Sequence, residues 1–166
     1  MTYSITRRAK VLLIYPPVIN QVSNINISAF DKSIGSYPPL GLLYIATYMK
    51  AFTNHEVEIL DCFADRMDFD EIKAKIRNIE PDIIGISAMT HFLVDVVQLA
   101  RISKKLFPHS NVIVGGPHAT IYPVSTVKNR YIDYAIRGEG EVCFTKLVNA
   151  ICDNQTEEHI SKIPGV

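Results

Sequence analysis

The stretch NVIVGGPHAT, residues 111–120, places a run of apolar residues directly before two glycines, a proline and a histidine. A β-branched apolar run that stops at glycine is typical of a buried strand that leads into a turn. One glycine is enough for such a turn, so the second indicates that something approaches the backbone closely. We therefore interpret Gly115 and Gly116, followed by Pro117, as a candidate binding turn at the end of a strand.

Five such strands alternate with helical patterns along the chain. They are predicted at Lys10–Tyr15, Glu56–Asp61, Asp82–Ser87, Asn111–Gly115 and Ile132–Ile136. Most of them are apolar throughout, which is typical of parallel strands covered by helices on both faces. Alternating strands and helices predict a doubly wound α/β fold with right-handed crossovers. We predict a five-stranded parallel sheet with the flavodoxin-like (Rossmann-like) order 2-1-3-4-5.

The helices between the strands are predicted from capping residues and apolar spacing. They are expected over Leu40–Phe52, after Asp68, over His91–Phe107, near Pro123 and from about Glu141 to Cys152. Asp68 with Glu71 three residues later predicts an acidic capping box. The third helix has a predicted solvent-facing stripe that consists of Asp95, Gln98, Arg101 and Lys105.

The composition is that of an ordinary globular domain, since 48% of the 166 residues are hydrophobic and 20% are charged. Seventeen basic and seventeen acidic residues balance, which argues against a nucleic-acid partner or an anionic membrane surface. The apolar run Val11–Tyr15 is too short for a signal peptide, and no transmembrane segment is expected. We therefore expect a cytoplasmic protein. Its three cysteines lack the spacing of a metal site.

The connection between the first strand and the first helix is unusually long. It exceeds twenty residues and begins at the carboxyl end of the strand, and such long connections are often functional. We expect residues 1–152 to form one domain, and the polar segment 153–166 to be a linker or a truncated continuation.

Doubly wound sheets bind their ligands at the carboxyl ends of the strands, so the residues there are the candidate site. Small or hydroxyl residues follow three of the predicted strands, at Ser87–Thr90, Gly115–Pro117 and Gly138–Gly140. Several functions are excluded by the same positions. A phospho-accepting receiver needs an aspartate where Ser87 stands, and a dinucleotide motif needs a glycine where Cys143 stands. The chain also has no P-loop and no nucleophile elbow.

Three motifs, taken in order, resemble the cobalamin-binding domain of cobalamin-dependent radical S-adenosylmethionine enzymes. They are YPPLGLLYIATYMK at 37–50, VIVGGPHAT at 112–120 and DYAIRGEGE at 133–141. The resemblance extends from about Lys10 to Cys152. It implies a corrin ring across the carboxyl ends of the strands, with its dimethylbenzimidazole tail inserted beside the fourth strand. The cofactor-binding residues it implies are Tyr15, Ser87, Met89, Thr90, Gly115, Gly116, Pro117, Gly138, Glu139 and Gly140, with no catalytic residue and no metal ligand.

One departure from related cobalamin domains concerns the cobalt ligand. Domains of the methionine-synthase and mutase type carry DxHxxG after the first strand, whereas this chain has no histidine between Met1 and Asn54. The resemblance therefore implies base-off cobalamin without a histidine ligand. His118 lies after the fourth strand and is interpreted as a neighbour of the site.

The chemistry of the resembling family belongs to a following barrel. That barrel carries CxxxCxxC for a [4Fe–4S] cluster that cleaves S-adenosylmethionine, and the motif does not occur in these 166 residues. The resemblance implies a cofactor-binding domain that serves such a barrel, in cis or in trans, in a methyltransferase or related enzyme. Two alternatives stay open: a degenerate domain of the same fold that acts as an interaction or structural module, and a stand-alone nucleotide or small-ligand binder.

Overall fold

Five parallel strands form one sheet in the computed structural model, which describes residues 7–20 and 37–166. The strands are β1 (Lys10–Tyr15), β2 (Glu56–Asp61), β3 (Ile83–Ser87), β4 (Asn111–Gly115) and β5 (Tyr134–Ala135). Their order is β2-β1-β3-β4-β5 and every pairing is parallel, so the predicted order is confirmed. Strand β5 is shorter than predicted, although the amide of Ile136 still donates to the carbonyl of Val114 at 2.8 Å.

Helices cover both faces of this sheet. They are α1 (Leu40–Phe52), α2 (Phe69–Ile79), α3 (Leu93–Leu106), α4 (Pro117–Ile121), α5 (Pro123–Val127), α6 (Gly140–Cys152) and α7 (Glu157–Ile160), with a 3-10 turn over Thr90–Phe92. The predicted capping box of α2 is present, because Asp68 accepts from the amide of Glu71 at 2.9 Å and Glu71 accepts from the amide of Asp68 at 2.9 Å. None of the described helices is long and apolar enough to cross a membrane.

The two faces of the sheet carry separate hydrophobic cores because successive strand residues point to opposite sides. Leu12, Ile84 and Val112 face one core, which α2 and α3 cover. The alternate residues Leu13 and Ile113 face the other core, which α1 and α6 cover. The odd-numbered positions of β1, β3 and β4 therefore all lie on the α1/α6 side.

The segment 153–166, expected to be a linker or a truncated continuation, packs against the α1/α6 core. Ile160 of α7 is buried, and Ile163 and Val166 contact the same core. The hydroxyl of Tyr134 donates to Glu157 at 3.0 Å, and the carbonyl of Gly165 accepts from the amide of Arg137 at 2.8 Å. The segment thus contacts both β5 and the loop that follows it.

The predicted solvent-facing stripe of α3 is wrong at Asp95, whose side chain is fully buried. Its carboxylate accepts hydrogen bonds from the amides of Ile19 at 3.0 Å and Asn20 at 3.0 Å, and from the Asn20 side chain at 2.7 Å. These donors lie 75 and 76 residues away in the chain, so no local pattern could reveal them. Asp95 ties the beginning of the β1–α1 connection to α3.

Replacing this carboxylate tests its structural role. In Asp95→Ala the amides of Ile19 and Asn20 and the Asn20 side chain lose a buried, charged acceptor. Because hydrogen bonds to a charged group contribute more than neutral ones, we expect the free energy of unfolding to fall by about 1.5–3 kcal/mol. Lys105→Ala, at an exposed position of the same helix, is the matched control and should change it by less than about 0.5 kcal/mol. Urea unfolding followed by circular dichroism measures both variants. Equal stabilities would contradict the assignment of Asp95 as an anchor.

Candidate functional site

A cavity of about 700 Å³ lies between the carboxyl half of the sheet and the helices α1 and α6. Its floor is apolar and includes Leu13, Ile113 and the ring of Phe144. At Gly85 this floor is closely packed, since a Cβ there would lie 2.8 Å from Leu13 Cδ2 and 2.9 Å from Phe144 Cε2. At Gly115, one strand further, the nearest described atom would be Ile136 Cβ at 3.9 Å. The missing side chain of Gly115 therefore leaves open space on the cavity side.

The second glycine of the pair has a different role, which is conformational. Gly116 has φ +98° and ψ −174°, a backbone region that is almost restricted to glycine. A Cβ at this position would also lie 3.0 Å from the carbonyl oxygen of Ala88. That carbonyl accepts from the amide of His118 at 3.0 Å, while the amide of Ala88 donates to Gly115 at 2.8 Å. The turn after β4 is thus fixed to the end of β3.

A threonine joins this turn to the second glycine-rich turn of the site. The hydroxyl of Thr120 accepts from the amide of Gly138 at 3.0 Å and donates to the carbonyl of Gly116 at 3.0 Å. Gly138 itself has φ +73°, and no described atom lies within 4 Å of where its Cβ would be. Sequence reasoning gave Thr120 no role, because its partner Gly138 is 18 residues away.

The structure brings together eight of the ten sequence-predicted residues. Those that line the cavity are Tyr15, Ser87, Gly115, Gly116, Pro117, Gly138, Glu139 and Gly140. Met89 and Thr90 do not line it. Met89 packs against the α2/α3 core, and Thr90 begins the 3-10 turn with its hydroxyl 3.1 Å from Nδ1 of His118.

Sequence reasoning missed the contribution of α1 to the cavity wall. The residues Tyr37 to Leu42, together with Ile45, also line the cavity. Helices α1 and α6 meet closely here, since a Cβ on Gly140 would lie 2.7 Å from Ile45 Cδ1. Gly85 was also missed, although a glycine within the apolar run DIIGIS is a signal of close backbone approach.

The charges of the cavity wall are few and negative. Glu139 and Glu141 are its charged members, and no Lys, Arg or His lies among the described residues that line it. Burial raises the pKa of Tyr15, and the Asp61 carboxylate raises it further, so the phenol adds no charge to the wall. This environment suits a ligand with hydrogen-bond donors and apolar surface, and disfavours a polyphosphate.

The histidine of the GGPHAT motif is buried and is not part of this wall. His118 is 5% exposed, its Nδ1 lies 3.1 Å from the hydroxyl of Thr90, and its ring packs 5.3 Å from that of Tyr122. It does not line the cavity. Within residues 7–20 and 37–166, no group of three or more His, Cys, Asp or Glu side chains could hold a metal ion.

The doubly wound sheet, with its glycine-lined cavity beside the ends of β3 and β4, defines a ligand-binding α/β domain. The model of the B12 binding domain family matches residues 29–148. The chain belongs to this family, so the family assignment made from the three motifs is confirmed.

Two curated relatives are considerably longer than this chain. An uncharacterized methyltransferase of Pyrococcus horikoshii is 37% identical over 144 residues, which cover 86% of this chain and 29% of that protein. An anaerobic magnesium-protoporphyrin IX monomethyl ester cyclase of Rubrivivax gelatinosus is 32% identical over 118 residues, which cover 70% of this chain and 21% of the cyclase. The chain therefore spans less than a third of either relative.

Solved structures share the fold over nearly the whole chain. The radical S-adenosylmethionine methyltransferase TsrM from Kitasatospora setae has a TM-score of 0.73 at 20% identity, covering 95% of this chain and 28% of TsrM. The cobalamin-dependent S-adenosylmethionine radical enzyme OxsB, with aqua-cobalamin and S-adenosylmethionine bound, has a TM-score of 0.72 at 15% identity. This match covers 96% of the present chain and 20% of OxsB. The similarity establishes the same α/β architecture.

A pair of glycine substitutions tests the conformational role of the turn. Gly116→Ala forces a side chain into a glycine-only conformation and against the Ala88 carbonyl, so we expect a loss of about 1–3 kcal/mol in the free energy of unfolding. Gly41→Ala, a helical glycine with no described atom within 4 Å of its Cβ position, should stabilise by about 0.5–1 kcal/mol. Urea denaturation of the two variants measures the change in the free energy of unfolding, which should be a decrease for Gly116→Ala and an increase for Gly41→Ala. Similar effects at the two positions would refute the assignment.

Proposed function

We propose that this chain binds cobalamin in the cavity beside β3 and β4, in base-off form and without a histidine on cobalt. The bound cofactor then serves a radical S-adenosylmethionine methyltransferase or a related enzyme. The observation that carries the proposal is the glycine-lined cavity, whose glycine turns lie within the segment matched by the B12 binding domain family.

The shape of the cavity fits a flat group that enters beside the backbone. Space is open above Gly115, and the floor formed by Leu13, Ile113 and Phe144 is apolar, as an aromatic benzimidazole requires. The hydroxyl of Ser87 and the backbone of the glycine turns line the same space and offer hydrogen bonds. Tyr37 is 85% exposed on one side of the cavity, so a ligand larger than the cavity can extend outward there.

The charge of the wall favours cobalamin over a nucleotide polyphosphate. A diphosphate or triphosphate concentrates charge that cationic partners usually balance, whereas the charged residues of the described wall are carboxylates. Cobalamin carries primary amides around its corrin ring, and an amide N–H can donate to a carboxylate. Glu139 and Glu141 are the residues that would accept from these amides.

The positions of the histidines support the base-off state without a protein ligand. The cavity has no histidine among its described lining residues, and Nδ1 of His118 already contacts Thr90 outside it. In this proposal the domain holds the cofactor through its nucleotide tail and its amides. The role of the protein is to bind and orient the cofactor and to exclude water from its tail.

The partner we propose is a radical S-adenosylmethionine barrel, in cis or in trans. When bound, cobalamin supplies methyl transfer or one-electron redox chemistry, while the [4Fe–4S] cluster and S-adenosylmethionine belong to the barrel. The support is that the chain covers 29% of a relative named as a methyltransferase and 28% of TsrM. The chain alone is proposed to be a cofactor-binding domain without catalytic residues of its own.

Cobalamin binding can be tested at Gly115, where the cavity has room for a side chain. The protein is incubated with hydroxocobalamin, separated from the excess and measured by its visible spectrum. In Gly115→Leu the added side chain occupies the open space beside β4 where the ligand would pass, and we expect at least about a tenfold loss of affinity, whereas Gly115→Ala should stay within about threefold. A colourless wild-type protein would refute the proposal and favour a degenerate interaction module.

The cobalt ligand is tested separately at His118. We expect the wild-type protein to give a base-off spectrum and His118→Ala to give the same spectrum, because no histidine donates to cobalt. The measurement is the position of the visible bands after loading with hydroxocobalamin. A spectrum that changes in His118→Ala, while Tyr122→Phe leaves it unchanged, would identify the histidine as a ligand.

A further inference from the structure

The C-terminal turn, residues 163–166, reaches the ligand-binding edge of the domain. The carbonyl of Gly165 accepts a 2.8 Å hydrogen bond from the amide of Arg137. Arg137 directly precedes Gly138, which lines the cavity. The turn is therefore one residue removed from the cavity wall.

The backbone of Gly165 has the same positive φ as that of Gly116 in the cavity wall. Its φ is +98°, in the region where side chains are strained. A Cβ would lie 3.0 Å from the sulfur of Cys143 and 3.2 Å from the carbonyl oxygen of Arg137. Any larger residue must move the turn away from both α6 and the Arg137 backbone.

The rest of the tail holds this turn in place. Ile160 is 4% exposed, and Ile163 and Val166 pack against the core beneath α1 and α6. The amide of Val166 donates to the carbonyl of Ile163 at 3.1 Å, which closes the turn. The turn is thus part of the packed domain.

Two backbone amides at the beginning of the loop 137–140 are held by hydrogen bonds from outside the loop. After Ile136 the loop has left the sheet, and Glu139 makes no side-chain capping bond to α6. The amide of Gly138 is held from one side by Thr120 at 3.0 Å. The amide of Arg137 is held from the other side by Gly165. These two hydrogen bonds clamp the loop between α4 and the C-terminal turn.

We propose that Gly165 is a positioning residue for the ligand, and that it clamps the loop 137–140 in the conformation that binds. The inference rests on the proposed cobalamin site. Coupling between two sites is reciprocal. A ligand bound at the loop 137–140 therefore also stabilises the packing of residues 157–166, and displacement of these residues lowers the affinity for the ligand. Ligand binding in the cavity and the packing of residues 157–166 are then coupled, although these residues do not line the cavity.

Affinity and hydrogen exchange together test this coupling in the full 166-residue chain. In Gly165→Ala, checked for folding by circular dichroism, we expect affinity for hydroxocobalamin to fall at least about fivefold. The control Lys162→Ala lies on the same tail, where its ammonium group pairs with Glu158 at 2.7 Å, and should keep wild-type affinity. In the wild type, hydroxocobalamin should slow amide exchange in residues 157–166 more than in α2, which covers the opposite face.

The outcomes separate the two proposals. Wild-type affinity in a folded Gly165→Ala, or tail exchange that cobalamin slows no more than α2 exchange, would overturn the positioning role. If Gly165→Ala does not fold, the wild-type exchange measurement decides alone. If the wild type binds no cobalamin, the proposed function fails, and faster exchange of the 137–140 amides in Gly165→Ala without ligand still tests the clamp.

Discussion

The site depends on a pair of backbone hydrogen bonds between the end of β3 and the turn after β4. Ala88 donates to Gly115 and accepts from His118, so both polar groups of one residue are used to hold the neighbouring turn. This arrangement requires that Gly116 approach the Ala88 carbonyl without a side chain. The turn then leads into α4, whose Thr120 reaches the amide of Gly138. A single steric constraint thus fixes three of the segments around the cavity.

Much of the fold could be predicted because its strands are apolar and because its long helices have apolar residues at helical spacing, with a capping box at the start of α2. The bounds of β1, β2, β4 and α1 agree with the sequence-based expectation, as does the capping box of α2. The edge strand β5 was predicted too long, since an apolar run does not show where neighbouring backbones diverge. Helix α4 was not predicted separately, because GGPHAT combines turn residues with a first helical turn that begins at Pro117.

The site was harder to predict than the fold because its contacts join distant parts of the chain. Glycines at strand ends are visible in the sequence, and they indicated the correct edge of the sheet. Their separate roles became clear only from geometry, since Gly115 provides space and Gly116 a rare conformation. Asp95 and Thr120 resemble ordinary polar residues of helices, and nothing local distinguishes them. Their importance comes from partners that the chain brings together only on folding.

The two faces of the sheet also have different roles in the domain. The cavity occupies the α1/α6 side, while the core beneath α2 and α3 is filled with large aliphatic side chains such as Ile72 and Leu99. Substitutions in the α2/α3 core change the free energy of unfolding of the domain, whereas substitutions at cavity-lining positions change which ligand it binds. The domain can therefore acquire a different ligand preference on one side while the other side preserves its folding. A library at Gly115 itself, with Gly116 kept as glycine, would vary recognition while preserving the turn and the α2/α3 core.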